Sequence, residues 1–168
     1  MSVPVTSFGL LSPSDRPKIL LLGSLPSVQS KASDFYYAHP KNAFWPILFS
    51  AAERPMSDAV EEKLALLEQL NIALWDVVAE AVRPGSLDSA IKPDSIRFNP
   101  IDLWLQSTPS VKAIGCNGAT AHRLLLKAFG DQLANYDVVK LPSTSPAHAS
   151  MTFEAKQQAW LQLIHHAL

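Results

Sequence analysis

The sequence predicts an α/β fold, a three-layer sandwich in which a four-stranded parallel sheet lies between helices, and three observations lead there. Four short strand-like runs recur, at Ile19 to Leu22, Ile72 to Val78, Val111 to Gly115 and Asp137 to Leu141. Segments with apolar residues at helical spacing separate them, and strands alternating with helices build parallel sheets through right-handed crossovers. Each run also ends on polar or turn-forming residues: Gly23-Ser24, Asp76, Cys116-Asn117, and Pro142 to His148. In an open parallel sheet these breaks gather at the carboxyl edge of the strands, where ligands bind.

Taken in order, Met1 to Arg16 holds Pro4, Gly9, Pro13 and several serines without periodicity. It reads as an extended arm anchored by Phe8, Leu10 and Leu11. The first strand follows, and then a segment, FYYAHPKNAFW, dense in aromatic and polar residues. Ala43 to Ala52 suits a short helix with Pro46 in its first turn. Ser57 or Asp58 is placed to cap a helix running to about Gln69, with Val60, Leu64, Leu67 and Leu70 as its apolar stripe. The second strand carries Asp76 near its end. Leu87 to Ile91 suits one helical turn, and Asn99-Pro100 reads as a cap and first-turn pair for a helix through Leu105. After the third strand, Asn117-Gly118 opens a helix with Ala121, Leu124, Leu125 and Phe129 on one face. The last helix, about Phe153 to His166, has Thr152 as its cap and Ala159, Trp160, Leu163 and Ala167 on one side.

At 168 residues and 48% hydrophobic content the chain suffices for one buried core, and a single domain over 1–168 is expected. A net charge of -1 argues against binding a polyanion through bulk charge while leaving room for a local basic rim. One cysteine, Cys116, excludes an internal disulfide and reads as a small buried hydrophobe. Neither a signal-peptide pattern nor an apolar run long enough to span a bilayer occurs, so a cytoplasmic protein is expected. The GxGxxG, GxxxxGK[ST], HExxH and GxSxG patterns are missing, so no cofactor or metal is expected.

What remains is a polar rim: His39, Asn42, Asp76, Asn117, His148 and the hydroxyls of Ser143 to Ser145. Each residue has an ordinary structural role open to it. Asn42 suits an N-cap for the helix holding Phe44 and Trp45, and the pattern slightly favours that role. Asp76 suits a strand terminator, and Asn117 a helix cap, the better reading there. At least two of Tyr36, Tyr37, Phe44 and Trp45 belong in a core. His165-His166 reads as a solvated helix end.

The phrases GSLPSVQS, FYYAHPKNAFWPIL, LWDVV, RPGSLDSAI, CNGATA and LPSTSPAH, in this order from Lys18 to Trp160, resemble the DNA-deoxyinosine (hypoxanthine-DNA) glycosylase family of the uracil-DNA glycosylase superfamily. That resemblance implies the same fold and a monofunctional glycosylase that flips a deaminated base, hypoxanthine first, out of duplex DNA and hydrolyses its N-glycosidic bond. It makes Asn42 the catalytic residue, and the chemistry of the neighbouring residues makes His39 the candidate to assist it by protonation. Gly23, Ser24, Pro26, Ser27, Tyr36, Tyr37, Phe44, Asp76 and Asn117 would bind the base, with one of Tyr36, Tyr37 and Phe44 stacking on it. Ser143, Thr144, Ser145, Pro146, Ala147 and His148 would contact DNA, the hydroxyls on phosphates and the loop's tip wedging the vacated stack. Lys31, Lys41, Lys140 and Lys156 would supply a basic rim to a monomeric enzyme whose partner is double-stranded DNA with a damaged base. The uracil-excising branch has histidine at the head of the last motif, where this chain has Leu141, and this points away from uracil. Glycosylases for uracil or xanthine, a non-catalytic binder of damaged DNA or nucleotides, and a weaker serine-histidine hydrolase are the alternatives.

Overall fold

The computed structural model describes residues 3–167. In chain order it contains β1 (Val5–Thr6), β2 (Ile19–Gly23), α1 (Val28–Ser33), α2 (Phe44–Ala51), α3 (Val60–Leu70), β3 (Ile72–Asp76) and β4 (Val78–Ala81). There follow β5 (Arg97–Phe98), α4 (Ile101–Ser107), β6 (Ala113–Asn117), α5 (Ala119–Phe129), β7 (Asp137–Leu141) and α6 (Phe153–Ala167). Strands β3, β2, β6 and β7 lie in that order in a sheet whose every pairing is parallel. The expected α/β class and four-stranded parallel sheet are thus present.

Side chains along β2 alternate between the two faces, as strand geometry requires. Ile19 and Leu21 join a core with α2, α3 and α6, where Phe44, Trp45, Phe49, Leu66, Leu67 and Trp160 are buried. Leu20 and Leu22 join a second core with Ala73, Trp75, Ile101, Leu105, Leu124 and Leu125. Both faces of the strand are covered, which explains why its sequence is continuously apolar rather than alternating. Among the described residues no helix is long and apolar enough to cross a membrane.

Several boundaries differ from the sequence reading. The run Ile72 to Val78 is two strands: β3 ends at Asp76, and β4 leaves for a small antiparallel sheet ordered β1-β4-β5. Apolar composition is common to both strands, so it could not reveal the break. The N-terminal arm contributes β1 to this second sheet, and Leu11 exchanges backbone hydrogen bonds with Leu74 at 2.9 and 2.8 Å. Phe8 and Leu11 pack on the core as expected, whereas Leu10 faces outward; Met1 and Ser2 lie outside the described residues. Strand β6 starts at Ala113, two residues later than expected, and reaches Asn117.

Helix α3 starts at Val60, and its cap position is Ala59. Ser57 accepts only the Ala59 N–H ahead of the helix, at 3.2 Å. Its buried face is Lys63, Leu66, Leu67 and Leu70, while Val60 is exposed. Asn99 does not cap α4, whose first residue is Ile101. Helix α1, capped by Ser27 through a 3.0 Å bond from Ser30 N–H, was not anticipated. Thr152 does accept the Ala155 N–H of α6, at 3.2 Å.

Candidate active site at the carboxyl edge of the sheet

The four polar strand ends do converge. Gly23 of β2 stands in register with Asp76 of β3, and Cys116 and Asn117 end β6 beside Leu141 of β7. Above them is a recess of about 560 Å³ lined by Gly23 to Ser27, Tyr36, Tyr37, His39, Asn42, Asp76, Asn117 and Ser143 to His148. Every residue expected at a site borders it except Phe44. That ring is fully buried, with Tyr37 stacked on it at 4.0 Å between centroids, so Phe44 supports the wall instead of forming it. Cys116 is wholly buried, and burial pushes its thiol up to about 12, so it stays an inert packing residue. His165 and His166 sit exposed on the final helix, as expected. Among the described residues no group of His, Cys, Asp and Glu is placed to hold a metal.

Asn42 serves both of its readings. Its Oδ1 accepts the Phe44 N–H at 2.9 Å at the start of α2, while its carboxamide borders the recess. With the oxygen engaged, the Nδ2 group is left free to donate. His39 accepts the Lys41 N–H on Nδ1 at 3.0 Å, and its carbonyl accepts the Asn42 N–H at 2.9 Å. In the neutral ring this places the proton on Nε2.

Asp76 is 2% exposed, and its Oδ2 has no hydrogen-bond partner. Desolvation raises its pKa to about 7; Arg83 and Lys31 oppose the rise and Asp88 adds to it. Arg83 is itself buried, donating to Pro26 O at 2.5 Å and to Gly85 O at 2.8 Å. Asp88 accepts from the Ser24 hydroxyl at 2.6 Å, and Ser86 accepts the Val28 N–H at 2.8 Å. Ser86, Leu87 and Asp88 thus close the recess on the β3 side, with Arg83 holding the turn behind them. Arg83, Ser86 and Asp88 were not expected as site residues, although the phrase RPGSLDSAI contains all three. Asn99, also unexpected, donates to Asp76 O at 2.8 Å and fixes the strand end at its backbone.

On the other side Asn117 is a clasp, not a helix cap. Its Nδ2 donates to Thr144 Oγ1 and its Oδ1 accepts the Thr144 N–H, both at 2.9 Å. Gly118, with φ at 97°, makes the turn into α5 instead. Thr144 in turn accepts the Ala43 N–H at 3.0 Å, which ties the β7 loop to the segment bearing Asn42. Thr144 is 1% exposed with its hydroxyl engaged by Asn117, so, contrary to the expectation for it, that hydroxyl is turned into the protein. Ser143 and Ser145 accept the Ser145 and Ala147 amides at 3.1 and 3.2 Å, while Pro146 and Ala147 stand exposed at the tip. Helix α6 braces the loop: Trp160 donates to Pro142 O at 2.9 Å, and buried Lys156 approaches Ser145 O at 3.4 Å. Lys156 is therefore a support beneath the loop and not part of an open basic rim. Tyr36 reaches the recess only with its ring, because its hydroxyl is bonded to Gly9 O.

Comparison with known proteins agrees with this arrangement. The family model described as the uracil DNA glycosylase superfamily matches residues 9–164. A hypoxanthine DNA glycosylase of Methanosarcina acetivorans is 33% identical over 90% of this chain and 93% of its own length. One of Methanosarcina barkeri is 30% identical over 88% of this chain and 90% of its own. A solution NMR structure from M. acetivorans, presented as a candidate uracil DNA glycosylase, superposes with a TM-score of 0.78 at 31% identity, covering 98% of this chain and 99% of that one. With its parallel sheet, its strand-end recess and a match over nearly all its length, the chain belongs to the uracil DNA glycosylase superfamily.

Proposed function

We propose that the protein is a monofunctional DNA glycosylase that excises hypoxanthine from duplex DNA by hydrolysing the N-glycosidic bond. The observation that carries the base assignment is Asp76, a buried carboxylate with an unpaired oxygen at the floor of the recess that Asn42 borders. Hypoxanthine presents N1–H as a donor where adenine presents an acceptor. Ionised Asp76 therefore pairs with the former and is left unpaired by the latter, a difference of about 1–3 kcal/mol. The two Methanosarcina relatives named for hypoxanthine support the same base.

A glycosylase must draw the nucleotide out of the stack, at a cost of a few kcal/mol that a poorly paired lesion lowers. The tip at Pro146-Ala147 is suited to fill the vacated space. At C1′ the bond to the base breaks, the bonding pair leaves with the purine, and water supplies the new oxygen. Asn42 carries no basic group that could abstract a proton from water. Its role is to orient that water through Nδ2, the oxygen being held by Phe44 N–H. The departing purine takes up the proton released by the attacking water, and His39, with its proton on Nε2, would donate a hydrogen bond to the leaving base rather than the proton itself. No lysine lines the recess, which supports simple hydrolysis without strand cleavage.

The test is a panel of duplexes carrying hypoxanthine, xanthine or uracil, read as abasic sites after alkali, with wild type and Asn42→Ala side by side. Wild type is expected to act most strongly on hypoxanthine, and Asn42→Ala to lose about 100-fold or more while remaining folded. Binding to the lesions without any abasic product would make the protein a damage binder and sink the catalytic reading.

A further inference from the structure

Tyr37 has two properties that packing does not explain. Its backbone is left-handed, with φ at 53°, which a bulky aromatic residue adopts only under constraint. Its hydroxyl is buried and has no hydrogen-bond partner. The ring is fixed from behind by its stack on Phe44, and the hydroxyl points over Gly23. A side-chain carbon on Gly23 would stand 2.7 Å from Asp76 Oδ1 and 2.9 Å from the Tyr37 oxygen. The Tyr37 hydroxyl and the Asp76 carboxylate, whose other oxygen Oδ2 has no partner, therefore stand together from different elements beside Gly23, where no side-chain carbon would fit. Leaving both groups unpaired inside a protein is costly, and a ligand with a matching pair of atoms removes that cost.

We propose that Tyr37 and Asp76 act as a pair that reads the lactam edge of a flipped base, with Tyr37 O–H donating to the ring carbonyl and Asp76 accepting from the adjacent N–H. This inference rests on the glycosylase reading and adds a specificity-determining residue to it. Deamination turns an amino group beside a ring nitrogen into a carbonyl beside N–H, so donor and acceptor change places. Hypoxanthine, xanthine and uracil all present the product pattern, and adenine and cytosine present its reverse. The pair thus tells a deaminated base from the adenine or cytosine it came from; guanine and thymine carry the same carbonyl and N–H edge, so the shape of the recess must exclude them and choose among the lesions. Burial first and then the neighbouring Asp76 charge raise the Tyr37 pKa, outweighing the opposing influence of the nearby Asn117 carboxamide, so the phenol remains a donor at any working pH.

Tyr37→Phe is the informative variant. Because the hydroxyl has no protein partner, its loss leaves the fold's hydrogen bonds intact. Binding is measured with duplexes carrying uncleavable 2′-fluoroarabino nucleotides of hypoxanthine or of unsubstituted purine, which lacks the C6 oxygen, alongside excision of ordinary deoxyinosine. Tyr37→Phe is expected to weaken hypoxanthine binding and slow its excision roughly tenfold, while purine binding stays unchanged. Equal losses on both bases would assign Tyr37 a structural role and overturn the proposal. So would an unchanged hypoxanthine response, or a wild type that does not prefer hypoxanthine to purine. If wild type shows that preference but makes no abasic product, the glycosylase reading fails while the lactam reading stands.

Discussion

Asp76 is held at the end of β3 by a bond from Asn99 to its backbone carbonyl, and its carboxylate is left over the recess at 2% exposure. Arg83 and Lys31 favour its ionised form, but desolvation is the largest influence, supported by Asp88, and the pKa rises to about 7 from the ordinary 3.8. A raised carboxyl pKa means that the folded protein binds the proton more tightly than the unfolded chain. This group's contribution to stability is therefore fully present below about pH 4, declines as pH rises to about 7, and then levels. Asp76→Asn removes the titration, so its thermal midpoint is expected to exceed that of wild type by a margin that widens across this window and stays constant above it. Excision should move the other way. A carboxylate that accepts N1–H must be ionised, so wild-type excision of hypoxanthine is expected to rise with pH through about 7, with a flatter profile in Asp76→Asn. Melting curves and single-turnover rates from pH 5 to 8.5 measure both effects. An identical pH profile in the two proteins would remove Asp76 from base recognition.

At the level of elements, the two sides of the recess are built differently. The β3 side is a turn wired to strand ends through Arg83, Ser86 and Asp88. The β7 side is a loop whose one deep anchor is Thr144, clasped by Asn117 through two bonds and bonded onward to Ala43. Asn117→Ala breaks both clasp bonds and strands the Thr144 amide, at an expected cost of about 1–3 kcal/mol. The loop should loosen before the sheet does: hydrogen exchange at Thr144 is expected to quicken markedly while that of Leu21 stays slow. Equal acceleration at both positions would show the clasp to be global rather than local. The sequence made the strand ends legible because a buried strand must stop on residues that tolerate a turn, as Gly23-Ser24, Asp76 and Asn117 do. It also showed which residues are polar near those ends, but not where each side chain is spent. Asn99, Asn117 and Thr144 carry the same groups whether they cap a helix, clasp a loop or face a ligand, and tertiary distance decides among these uses. The break between β3 and β4 was hidden for a related reason: Val77 and Val78 are as apolar as the strand before them.

Across the whole molecule, charge and topology set how nucleic acid can be held. Two apolar layers cover the sheet, and the recess opens at the edge where the strands end. A net charge of -1 cannot draw in DNA over a broad surface, so affinity must come from the few groups around that opening. Of the four lysines near it in sequence, Lys156 is buried under the loop, while Lys31 lies over the Phe8 ring at 4.9 Å. Lys41, next to Asn42, and Lys140, within β7, are exposed. Backbone amides and serine hydroxyls hold phosphates without releasing a counterion per charge as a lysine does, and base capture inside the recess involves little salt dependence. If Lys31, Lys41 and Lys140 each neutralise one phosphate, the logarithm of the binding constant should fall with the logarithm of salt with a slope of about -3. Removing Lys41 or Lys140 by substitution with Ala should reduce that slope by about one unit and leave the preference among lesions unchanged. Fluorescence anisotropy with a lesion duplex over a salt series measures the slope. A value far steeper than this would place DNA on a wider basic surface than the edge of the recess.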